Sequence, residues 1–165
     1  AVAASGVIVM SHPDVIVKMG AKDALVKINK LSCGMPKANA YSDFASFKAQ
    51  FPRCIAYSKR LGQARVLKHD RGSKGKGIWV CKVKEGQEGR VSRSTVLILQ
   101  EAVGNHKEEK TLGEFMMLCE QYFEGENSQL IDQRFLPRIV EGEFQVNMIY
   151  DSPYEVVCER PAEGG

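Results

Sequence analysis

Apolar residues fall in short runs along the chain, and their spacing predicts a mixture of strands and helices. Residues 7–10 and 15–17 are β-branched runs separated by Ser11-His12-Pro13-Asp14, a turn signal, and so read as two strands. Between residues 21 and 31, Leu25, Ile28 and Leu31 recur at near-helical spacing and predict a helix. Residues 32–39 hold Gly34 and Pro36 and read as a loop. Ser42 is the expected N-cap of a helix carrying Phe44, Phe47 and Phe51. Pro52 suits the first turn of a second short helix, which runs to about Arg60 and stops at Gly62.

Residues 64–69 and 78–83 read as two strands of a hairpin around a glycine-rich loop, residues 71–77. A turn at 85–89 leads to a strongly apolar strand, residues 96–103. Thr111-Leu112-Gly113-Glu114 is a capping box, which opens a helix running to Phe123. Its face of Leu112, Phe115, Met116, Cys119, Tyr122 and Phe123 is expected in the core, and Gly125 ends it. Strands follow at 130–136 and 144–150 around a turn at Glu141-Gly142, then at 154–158. No βαβ repeat is visible, so the order of elements predicts an α+β fold.

Composition adds the class. The chain has 165 residues, 44% hydrophobic and 26% charged, as in soluble globular proteins. No run approaches the ~18 apolar residues of a membrane span. The apolar residues 1–10 have no basic segment before them and read as a buried strand, not a signal peptide. Five cysteines without a C-x-x-C pair read as reduced, partly buried thiols of a cytoplasmic protein. His12, His69 and His106 are too scattered to suggest a metal site.

Charge changes the picture more. The net charge of +3 conceals a basic centre: residues 1–58 carry +4, residues 59–84 carry +8 and residues 85–165 carry −9. A basic block beside an acidic tail suggests that the block meets an anion. Within it, Lys68-His69-Asp70-Arg71-Gly72-Ser73-Lys74-Gly75-Lys76-Gly77 fits neither a Walker A loop nor a dinucleotide fingerprint. Its glycines let backbone amides turn onto an anion, and Lys68 ends an apolar strand that can hold its ammonium still. Three readings stay open on this basis: a solvated basic hairpin, a phosphate site, and a nucleic-acid surface. The last is disfavoured because Trp79 is the only nearby aromatic and occupies a core strand position.

The order of motifs resembles the ATP-grasp superfamily, in particular the ATP-binding region of glutathione-synthetase-like ligases. Val66-Leu67-Lys68, the glycine loop and Ile78-Trp79-Val80 follow the family's strand, loop and strand. Gln133-Arg134-Phe135-Leu136-Pro137 resembles its hinge, and Glu141-Gly142-Glu143 its following acidic turn. Arg160-Pro161 and Gly164-Gly165 correspond approximately to its R-x-P and glycine pair, and Lys22 to its upstream lysine. The resemblance covers residues 19–165.

It implies three segments: an N-terminal strand and helical segment (1–61), a small ATP-grasp lobe (62–130), and the hinge with a truncated second lobe (131–165). Lys22 and Lys68 would contact nucleotide phosphates, and Gly72, Ser73, Gly75 and Gly77 would close over them. Gln133, Arg134, Phe135 and Leu136 would form the adenine hinge, although Arg134 and Arg138 themselves read as exposed, alternating strand positions. Glu143 would approach the ribose. Arg160 would face the acyl-phosphate or carboxylate substrate. The implied activity is an ATP-dependent carboxylate–amine ligase working through an acyl phosphate, with a non-catalytic nucleotide-binding module as the alternative. Gln145 stands where the family has arginine, which favours that alternative. Magnesium is the implied metal, its ligands expected beyond Gly165, so the chain alone is expected not to turn over. The expected partners are ATP and a carboxylate, not a membrane; a homodimer is left open. Lys82 is expected on an outer strand, away from the phosphates.

Overall fold

The structure is a computed structural model that describes Ser5 and residues 21–72, 75–125, 128–149 and 151–160. The strands expected at 7–10 and 15–17, Ser73, Pro161 and the pair Gly164-Gly165 lie outside the described residues.

Helix α1 (Ala24–Lys27) is shorter than the spacing of Leu25, Ile28 and Leu31 predicts. None of its residues is buried, and a helix this short without a packed face has little to extend it. Strand β1 (Asn39–Tyr41) starts at the last residue of the expected loop and forms through pairing with a distant strand. Helix α2 (Phe44–Arg60) is one helix, not two, with Pro52 inside it. An interior proline costs roughly 3 kcal/mol. The continuous buried stripe of Phe47, Phe51 and Ile55 offsets this, at about 1.5–3 kcal/mol for each side chain. Asp43, not Ser42, is the N-cap: its extended backbone aims the carboxylate at the Ser46 amide, 2.7 Å away. Gly62 stops the helix at φ +64, where the Gln63 amide reaches the Ser58 carbonyl.

Strands β2 (Arg65–His69), β3 (Ile78–Val83), β4 (Val96–Glu101) and β5 (Lys107–Thr111) form an antiparallel meander. Strand β6 (Leu130–Arg134) returns to pair with β2, and β1 pairs with β6. The sheet order is β1-β6-β2-β3-β4-β5, so Lys82 lies on an inner strand, not an outer one. Helix α3 (Leu112–Leu118) continues as a 3-10 segment over Cys119–Phe123, which tightens the end of the predicted helix. Its capping box is present in full. Replacing Thr111 by alanine is expected to cost about 1 kcal/mol, seen as a lower denaturant midpoint with an unchanged m-value.

The strands alternate between two faces. Leu67, Trp79, Cys81, Leu97 and Leu99 point toward α2 and α3, and pack with Phe47, Phe51, Ile55 and Phe115 as the core. Val66, Lys68, Ile78, Val80, Lys82, Ile98 and Gln100 lie on the other face, with Ile131 and Gln133 beside them. The fold is therefore α+β, with α2 and α3 on one face of the sheet.

A 3-10 turn over Pro137–Glu141 leads to the hairpin β7 (Glu143–Ile149) and β8 (Ser152–Glu159). Arg138 is on that turn, not on a strand, and holds Glu141 through two hydrogen bonds from Nε and one from Nη2. Among the described residues, no helix is long and apolar enough to cross a membrane.

Candidate functional site

The site is built where β2 runs into the glycine loop on the face away from the helices. Alternation puts the Lys68 side chain on that face, between Ile78 of β3 and Ile131 of β6. The side chain is half-buried, and its ammonium makes no hydrogen bond or ion pair among the described residues. Burial first, then the nearby charge of Lys22, lowers its pKa, while Glu143 pulls in the opposite direction. A desolvated cation with no partner stabilises an incoming anion more than a solvated one does.

Lys22 reaches the loop from the other side. Its ammonium donates to the carbonyls of Asp70, at 2.9 Å, and Gly72, at 2.6 Å. The two lysines predicted to hold phosphates therefore converge on the loop, with Lys22 engaged by backbone and Lys68 unengaged. Asp70 is the residue that the sequence reading passed over. It is buried, and its carboxylate accepts from the Asp23 amide at 2.8 Å and from Gln129 at 3.3 Å. It ties residues 21–23 and the approach to β6 to the root of the loop. The available signal was its place as the lone acid in the +8 block.

His69 points to the helix face and packs its ring 5.7 Å from that of Tyr122. Burial and then Lys22 lower its pKa, so the imidazole stays neutral further into acid than an ordinary histidine. Its Nε2 is buried and without a partner. Gly77 lies against it at φ +68, where an added Cβ would sit 2.9 Å from the His69 Cβ and 3.3 Å from Tyr122. Gly62 has a similar φ of +64 and open space around it. Gly77→Ala is thus expected to cost more than Gly62→Ala, which pays only the left-handed backbone, about 1–2 kcal/mol. Urea unfolding of both variants measures the difference, and equal losses would mean that the loop yields to the methyl group.

The hinge closes the other end of the face. The Phe135 amide donates to the Ala64 carbonyl at 3.0 Å, which anchors the chain as it leaves β6. Two hollows flank Phe135 and Pro137. One, about 580 Å³, is lined by Val80, Lys82, Ile98, Gln100 and Lys107. The other, about 500 Å³, runs from Arg134 to Ile139 and includes Leu136, Gly142 and Glu143. Gln133 is 6% exposed on the same face, and its Oε1 has no partner. Arg160 and Glu143 share a smaller hollow of about 230 Å³ with Ile139.

The structure thus gathers Lys22, Lys68 and Gly72 at the loop and Arg134, Phe135, Leu136 and Glu143 at the hinge, with Arg160 beside Glu143. It does not bring the glycines into either hollow: Gly75 packs against Val103, and Gly77 against His69. Among the described residues, no group of three or more histidine, cysteine, aspartate or glutamate side chains is placed to hold a metal ion. No protein-family model, curated protein or solved structure matches the chain.

Proposed function

We propose that the chain is the nucleotide-binding portion of an ATP-grasp carboxylate–amine ligase. The observation that carries this reading is the unpaired, half-buried ammonium of Lys68 at the root of a glycine loop, on the sheet face that the hinge borders. An ammonium in that position neutralises phosphate charge in a low-dielectric setting, where the attraction is strongest. The hollows around Phe135 offer a purine apolar contact. In such a ligase a carboxylate oxygen attacks the γ-phosphorus, ADP leaves, and an amine then displaces phosphate from the acyl phosphate. Lys68 would hold phosphate charge, the hinge would hold the base, and Arg160 would receive the carboxylate. Magnesium would spread the phosphate charge further, but the described residues present no ligand set for it, and no step is assigned to it.

Gln145 favours a second reading, a module of the same fold that binds nucleotide without catalysis. Its amide is spent on Asn147, at 3.2 Å, on the polar side of β7, and it brings no positive charge to the carboxylate. Calorimetric titration of the full chain with ATP tests the shared core of both readings. Saturable binding that Lys68→Ala weakens supports them, and heats indistinguishable from dilution would overturn them.

A further inference from the structure

Behind the hinge, on the helix face of the sheet, lies a further hollow of about 210 Å³ that shares Arg134 with the hinge hollow and whose walls also include Pro36, Lys37, Tyr57, Leu61 and Arg65. We propose that it binds a small organic carboxylate with a short carbon chain. Arg65 and Arg134 stand directly opposite each other on β2 and β6, a like-charge pair that destabilises a ladder unless an anion intervenes. Asp132 answers the charge of Arg65, through Nε at 2.5 Å. The guanidinium of Arg134 has no hydrogen bond or ion pair among the described residues.

Lys37 adds a second cation without a carboxylate. Its backbone sits at φ +63, unusual for a residue with a Cβ, and its carbonyl is held by Arg65 Nη2 at 3.2 Å. Its ammonium lies 3.7 Å from the centre of the Tyr57 ring and donates to the Tyr57 hydroxyl. Neither contact cancels a full charge. Two uncompensated cations therefore face one small hollow, and the planar fork of Arg134 matches a carboxylate. Pro36, Leu61 and the Tyr57 ring add carbon to walls that also hold Ser58 and Gln63, which suits an organic acid better than inorganic phosphate. The proposal does not rest on nucleotide binding: Lys68 is on the opposite face of the sheet.

The probe is sodium butyrate, titrated into the full chain by calorimetry at constant ionic strength, with inorganic phosphate in a parallel titration. Butyrate is expected to bind at one site per chain and more tightly than phosphate. Arg134→Gln, an exposed position whose loss leaves the core intact, is expected to weaken butyrate about tenfold or more, with an unchanged urea midpoint. Lys68→Ala is expected to leave butyrate binding unaltered. Absence of saturable binding, tighter binding of phosphate, equal affinity in Arg134→Gln, or a loss that follows Lys68 would each overturn the assignment.

Discussion

Asp132→Ala is expected to lower the free energy of unfolding by about 3–5 kcal/mol. Asp132 is 0% exposed, inside a sheet, and receives Arg65 Nε at 2.5 Å and the Tyr41 hydroxyl at 2.8 Å. Burial works against both charges. At Asp132 it pushes the carboxyl up, against the pull of Arg65 and Tyr41. At Arg65 burial pulls down, but Asp132, helped by Cys54 and Tyr41, raises the guanidinium above its ordinary value. Alanine removes one charge and leaves the other buried, with the Tyr41 hydroxyl also deprived of its acceptor. A domain of ordinary stability, about 5–15 kcal/mol, would lose much of its margin. The double variant Arg65→Met with Asp132→Asn separates the alternatives, because it removes both charges at nearly constant volume. It is expected to recover most of the loss. Urea unfolding of the two variants is the measurement. If the single variant costs under about 1 kcal/mol, the remaining guanidinium has found water and the pair is not what holds β2 to β6 and α2.

That pair also shows where sequence reading stops. Strands β2, β3 and β4 are legible because Val66, Trp79, Val80 and Leu97-Ile98-Leu99 are apolar runs bounded by glycine or charge. The capping box is legible because both of its hydrogen bonds are local. Strand β5 is Lys-Glu-Glu-Lys-Thr, with no apolar alternation, and exists because β4 offers it a ladder. Strand β1 likewise depends on β6, some ninety positions away. Pro52 marks a helix start by local chemistry, but the burial of Phe47 and Phe51 before it and Ile55 after it on one face is a tertiary fact. Period two correctly marks Phe144, Val146 and Met148 as strand, yet not their surroundings: Phe144 is 76% exposed and Tyr154, on the paired strand, 73%. At the site, Lys68 and the hinge are legible as motifs. Asp70 and the opposition of Arg65 to Arg134 are not, because they depend on which strands become neighbours.

Lys68→Ala is expected to weaken ATP binding by about 10- to 150-fold, the equivalent of one charge-assisted hydrogen bond of roughly 1.5–3 kcal/mol. Two comparisons give the number meaning. Lys84→Ala removes an exposed lysine already paired to Glu109 at 2.7 Å, and is expected to leave affinity nearly unchanged. Lys82→Ala removes an exposed cation that lines the larger hollow and pairs with Glu85 at 3.4 Å, and is expected to cost less than Lys68→Ala. The ordering follows from solvation: the ammonium of Lys68 is already partly desolvated and has no hydrogen-bonded partner to surrender, so a phosphate gains more there than at an exposed, paired lysine. The same fact protects the experiment from the commonest artefact. Removing a desolvated, unpaired cation relieves the fold, so Lys68→Ala is expected to unfold at the same or a higher urea concentration than the parent chain. Lost binding in a protein of undiminished stability then belongs to the site. Equal losses in all three variants, disappearing together as salt is raised, would instead mean that the basic block acts as a diffuse field, and the site at the root of the glycine loop would have to be abandoned.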